Sequence, residues 1–208
     1  MYAGWDTDGI PTIQVRHLLA RGTRTFASGA AIWEARIRST RTIQEAWACY
    51  LAFEDSCTIL HQNVLLAITE KLYEEQRLRR AITKGRKVRP RRPTGDEIFL
   101  PGDGKEMEPL PPSTHLYTYT RTQPPNMHDF FSRLREKGVR IGGRLLAYYV
   151  SHAGLLQDGI EYMKHAQRIY PQIERLLVLD LTCSFEEIPL PVFEAYICLL
   201  YTSPSPRD

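Results

Sequence analysis

A chain of 208 residues that is 43% hydrophobic has material for one ordinary domain or two small ones. No apolar run approaches the roughly 18 residues that a membrane-spanning helix requires, and a net charge of +3 is weaker than an obligate nucleic-acid domain carries. Four cysteines, Cys49, Cys57, Cys183 and Cys198, lie far apart without a CxxC pair, against both a structural zinc site and a secreted disulfide framework. Idle or buried thiols in a reducing compartment are expected.

Residues 1–38 form an N-terminal segment. Asp6 and Asp8 are wrong for the start of a cleavable presequence, but residues 15–28 carry Arg16, Arg21 and Arg24, several hydroxyls and no acid. Such a cationic segment is drawn toward the negative matrix side of the mitochondrial membrane, so it reads as a targeting peptide. Arg24, Phe26 and the small pair Ala27-Ser28 have the pattern of a matrix-protease site.

A helical hairpin is expected over 40–80. Thr42-Ile43-Gln44-Glu45 has capping-box spacing, which places a helix start there. Ile43, Ala46, Trp47, Tyr50 and Leu51 then make one apolar stripe, which Asp55-Ser56 interrupts. A second stripe runs through Leu60, Val64, Leu65, Ile68 and Leu72. So short a connection makes antiparallel packing the natural outcome. Trp47, Tyr50 and Phe53, and the pair Tyr148-Tyr149, have the rings to stack bases but are read as interhelical core.

Residues 81–126 read as a loop. Its approach is strongly cationic, with Arg77, Arg79, Arg80, Lys84, Arg86, Lys87, Arg89, Arg91 and Arg92. Pro90, Pro93, Pro101, Pro109, Pro111 and Pro112 follow, and Asp96, Glu97, Asp103, Glu106 and Glu108 replace the bases. Ile98-Phe99-Leu100 and Leu116-Tyr117-Thr118-Tyr119 are expected as short extended pieces docked on the helices.

Residues 127–197 return to helical periodicity. Phe130, Phe131 and Leu134 share a face, and Gly138 sits where glycine closes a helix. Leu145, Leu146, Tyr149, Val150 and Ala153 follow, ended by Gly154; then come Ile160, Met163, Ala166 and Ile169, stopped by Pro171. Ile173, Leu176 and Leu177 suggest another helix, and 191–197 the opening of one more. The fold class is therefore all-α: a helix-hairpin repeat, or α-solenoid, fragment with a long Pro-rich loop that is first basic and then acidic.

No catalytic constellation emerges, and the chain reads as a non-enzyme without metal or cofactor. His17, His61, His115, His128, His152 and His165 lack metal-ligand spacing, and Gly102-Asp103-Gly104-Lys105 lacks the hydroxyl and helix start of a phosphate loop. Ser151-His152 sits in no nucleophile elbow.

The segment from Phe130-Phe131 through Arg133, Arg135 and Lys137 to Gly138-Val139 resembles the end of a pentatricopeptide repeat. Residues 144–154 are similar to that repeat's first helix, and Leu156-Gln157-Asp158-Gly159-Ile160-Glu161-Tyr162-Met163 to its second. Glu45-Ala46-Trp47 with residues 60–72 is similar to a second helix passing into the next first helix. The Gly102-Asp103-Gly104 turn, the Pro-rich stretch and Thr114-His115-Leu116-Tyr117-Thr118-Tyr119 resemble fungal mitochondrial members of the family.

The resemblance implies that each repeat presents a few side chains to one unstacked RNA base. Arg144 is the nearest match to a base-facing position. Lys84, Arg86, Lys87, Arg89, Arg91 and Arg92 would neutralise backbone phosphates. The implied function is binding of single-stranded mitochondrial transcripts in the matrix, for their stability, processing or translation. The alternatives are a tetratricopeptide-like protein-interaction scaffold and a mitochondrial assembly or ribosome-associated factor. Residues 198–208, CLLYTSPSPRD, are expected to break the preceding helix register and resemble a translated sequencing adapter, which would place the end of the natural sequence near Ile197.

Overall fold

The computed structural model describes residues 3–7, 10–13, 26–56, 59–84, 114–178 and 188–202. Among them it is predominantly helical, with nine helices and one two-stranded β-pair. The chain divides into two compact units, residues 1–130 and 131–208.

In the first unit, β1 (Ala3–Thr7) pairs antiparallel with β2 (Ile10–Ile13), with an irregularity between Gly4 and Thr7. This pair is an addition to the helical expectation. Helices α1 (Phe26–Ser39), α2 (Ile43–Ser56) and α3 (Gln62–Thr83) pack so that each touches the other two. Helix α1 begins inside the segment read as a targeting peptide; residues 15–25 lie outside the described residues.

The α1–α2 corner is built by short-range chemistry. Thr42 Oγ1 accepts the Glu45 N–H at 3.2 Å, and the Glu45 carboxylate accepts the Thr42 and Arg41 N–H groups at 3.3 and 3.2 Å. The capping box is thus closed in both directions, satisfying donors that a helix start leaves open. From α3, Lys71 Nζ donates to the Thr40 carbonyl at 2.6 Å. Lys71 and Glu45 are 7% and 5% exposed, so both charges are held under the corner by hydrogen bonds.

Both stripes read in the sequence face inward except at Leu60, which precedes α3 and is only half-buried. Ile43, Ala46, Trp47, Tyr50 and Leu51 are buried, as are Val64, Leu65, Ile68 and Leu72. Trp47 stacks on Tyr50 at 5.0 Å between centroids, and Phe130 meets both rings edge-on at 5.7 and 5.2 Å. Residues 116–122 form a helix, α4 (Leu116–Thr122), where an extended piece was expected. It is anchored on α2 through its C-terminal end: Trp47 Nε1 donates to the Arg121 carbonyl at 2.9 Å, and the Arg121 guanidinium pairs with Asp55. Those long-range partners are invisible to local periodicity.

Helix α5 (Met127–Glu136) contains the division between the units. It ends in a Schellman turn, with Val139 N–H to Leu134 O at 3.0 Å, Gly138 N–H to Arg135 O at 2.9 Å, and Gly138 at φ 69°. In the second unit, α6 (Gly143–Ser151) packs on both α7 (Leu156–Ala166) and α9 (Leu190–Thr202), while short α8 (Ile173–Leu177) touches α7. Phe131 lies between Tyr149 and Tyr162, at 5.2 and 4.4 Å. Helix α6 stops at Ser151 on backbone bonds from His152 and Ala153, before the Gly154 that was expected to end it. The register break expected at residue 198 is not seen. Val192, Ala195, Tyr196 and Leu199 form one buried stripe, and α9 runs on to Thr202.

Candidate functional site

Of the residues singled out for RNA, Arg144 lies exposed in the first turn of α6, and Lys84 is the exposed C-terminal cap of α3. Arg86, Lys87, Arg89, Arg91 and Arg92 lie outside the described residues, as does the Gly102-Asp103-Gly104-Lys105 turn. Arg144 and Lys84 belong to different units, and each is described by itself. The aromatic residues weighed for base stacking are largely spent on packing: Trp47, Tyr50, Phe53 and Tyr149 are buried. Tyr148 stacks on His152 at 4.2 Å.

The second unit holds a cleft of about 460 Å³, lined by Gly138, Val139, Arg140, His165, Arg168 and Ile169. One rim is the loop after α5, where the left-handed Gly138 reverses the chain and delivers Val139 and Arg140. The other is the turn closing α7, where the Ile169 and Tyr170 N–H groups both donate to Ala166 O at 2.9 Å. The two rims are tied together because the Tyr170 hydroxyl accepts the Gly143 N–H at 3.0 Å. Gly142 fits beneath that turn: a Cβ there would come within 3.1 Å of the Tyr170 hydroxyl and 3.3 Å of Ile169 Cδ1. His165 is braced edge-on by Phe131 at 5.5 Å.

Among the described residues the lining holds two guanidinium groups, an imidazole and no carboxylate. Nearby Arg135 is engaged by Glu161 at 2.6 Å, outside the cleft. A smaller cleft in the first unit, about 220 Å³, is different: Arg38 and Lys71 share it with Glu70 and Glu74, and Arg38 pairs with both Glu34 and Glu70. Neutralisation in place leaves that surface little net field for a charged ligand.

Arg140, His165 and Arg168 carried no motif in the sequence, because the two rims are separated by α6 and α7. Ser151 Oγ lies 2.9 Å from His152 Nδ1, but both groups also reach the Tyr148 carbonyl, at 3.1 and 3.0 Å. They close α6 as polar end groups. Among the described residues there is no group of three or more His, Cys, Asp or Glu side chains able to hold a metal. Among them, no helix is long and apolar enough to cross a membrane. The chain matches no family model, no curated protein and no solved structure.

Proposed function

We propose that this chain is a helical-repeat protein of the pentatricopeptide type that binds single-stranded RNA and acts on mitochondrial transcripts. The observation that carries the reading is a packing pattern present in both units. In each, one helix contacts two others of its own unit: α1 touches α2 and α3, and α6 touches α7 and, beyond short α8, α9. Stacked helix pairs bury a shared core in this way. Exposed Arg144 at the start of α6 and the cationic run leading into residues 85–113 then supply charge for RNA. The acid-free, arginine-bearing residues 15–28 support the matrix as the compartment. The mechanism is base contact by α6 side chains with phosphate neutralisation by arginine and lysine, and it has no catalytic step.

The test is RNA affinity measured by fluorescence anisotropy across a salt series, with Arg86, Lys87 and Arg89 all replaced by Gln. Three lost phosphate contacts lower the magnitude of the log–log salt slope by about 2. An unchanged slope removes that segment from the binding mechanism. If Arg144→Ala also leaves affinity unchanged across homopolymer RNAs, α6 is removed as well.

One observation favours a second reading, an interaction scaffold or a mitochondrial assembly or ribosome-associated factor. Helix α4 has no buried residue and displays Leu116 and Tyr117 at 78% and 71% exposure. Absence of saturable RNA binding by the chain would make this the better account.

A further inference from the structure

We propose that α4 is a releasable strap: it docks on α2 through its C-terminal end, swings on the segment from Gln123 to Pro125, and is held or let go by the ionic contact of Arg121. The proposal does not rest on the RNA reading.

Helix α4 is not a helix that its own sequence sustains. It has seven residues, fewer than the roughly 12–15 that even a good helix former needs in isolation. Thr118, Thr120 and Thr122 are β-branched and poor helix formers. His115 at its N-cap makes no side-chain capping bond, and the first turn has no acid to complement the helix dipole. None of its residues is buried, and Leu116, Tyr117 and Tyr119 all lie exposed, so burial of apolar surface does not hold it. The bonds that join it to α2 are polar. Trp47 Nε1 donates to the Arg121 carbonyl at 2.9 Å, and the Arg121 guanidinium pairs with Asp55. The same guanidinium comes within 3.7 Å of Glu54, which accepts the Tyr50 hydroxyl at 3.0 Å.

The far side of α4 is built as a joint. Gln123 is extended, at φ −77° and ψ 127°, as a residue before proline tends to be, and Pro124-Pro125 follow. Helix α5 then starts on its own terms. Asn126 Oδ1 accepts the Asp129 N–H at 2.7 Å, the Asn126 carbonyl accepts the Phe130 N–H at 2.9 Å, and Met127 is buried. Release of α4 therefore leaves the start of α5 intact. An exposed ion pair and one neutral hydrogen bond are each weak. Two states separated by so little leave the minor one populated at about 0.1–10%. Release gives Asp55 and the indole edge of Trp47, now 2% exposed, to solvent. The strap thus governs access to this side of α2.

The experiment is amide hydrogen exchange of the full chain, read by mass spectrometry on peptides covering α2, α4 and α5. In the parent, α4 should exchange at least about tenfold faster than α2, because it opens by local release and not by unfolding of the core. Arg121→Gln should speed α4 by about two- to fivefold, the scale of one exposed ion pair, and leave α2 unchanged. Raising NaCl from about 0.05 to 0.5 M should bring the parent toward the variant and hardly move the variant, since salt screens exposed charges. Arg135→Gln, which breaks the exposed pair with Glu161, should leave α4 unchanged. Exchange of α4 in step with α2 overturns the proposal, as does an unchanged α4 in Arg121→Gln. Equal acceleration of α2 does so too, because it would make Arg121 part of the core's stability. An equal effect of Arg135→Gln on α4 would show a general response to lost charge, and overturns it as well.

Discussion

Thr42 shows how much a single side chain does at a corner. Its Oγ1 holds the Glu45 N–H while the Glu45 carboxylate holds the N–H groups of Arg41 and Thr42, so one turn of chain satisfies three donors. Thr42→Ala removes one of these acceptors and should cost about 1 kcal/mol in urea unfolding; a change within a few tenths would show that water replaces it freely. Gly138 is a different case. Its φ of 69° belongs to the left-handed region, and a Cβ there would meet nothing within 4 Å. Gly138→Ala should therefore lower stability by about 1–2 kcal/mol through backbone strain alone. Both features were legible in the sequence because each acts within a few residues of itself.

At the scale of elements, the clearest constraint is where α7 meets α9. A Cβ on Gly159 would overlap Leu199 and touch Ala153 Cβ at 3.4 Å. Gly159→Ala should destabilise the second unit by about 1–3 kcal/mol through overpacking. In a Leu199→Ala background the same change should become neutral or stabilising, since alanine is the better helix former by about 1 kcal/mol. Thermal unfolding of the four chains in this cycle checks it; equal cost in both backgrounds would mean that Leu199 is not the steric partner. Gly159 gave no such signal in the sequence, because its neighbour lies forty positions away on another helix. Helix α4 was misread as extended for a related reason: with no buried residue it has no apolar stripe, and its anchors, Trp47 and Asp55, come from α2.

At the scale of the whole molecule, stability should fall in alkali. Burial, with help from Asp158 and Glu161, pushes the Tyr162 hydroxyl well above the ordinary tyrosine value of 10.0, and burial raises Tyr196 as well. In the unfolded chain both ionise near the ordinary value while the folded chain keeps its protons. Their stabilisation is thus complete below pH 10 and is lost as pH rises toward the folded values. Each such group steepens the decline by about 1.4 kcal/mol per pH unit in that window. Melting temperatures measured from pH 8 to 11 should drop past pH 10, and Tyr162→Phe should make the drop shallower. An identical profile for the variant would place the alkaline sensitivity elsewhere.

The sequence by itself determined the helical class, the capping box at Thr42, the buried stripes of α2 and α3, and the turn at Gly138. Each follows from hydrogen-bonding and apolar periodicity within one or two turns of chain. Only the tertiary structure decided that Trp47 and Tyr50 pack against Phe130, that Tyr170 ties two loops together, and that Arg140, His165 and Arg168 share one cleft. The physical reason is separation along the chain. Local periodicity tells each helix which face to bury, but the residues exposed at two different helix ends meet only after the helices between them have packed.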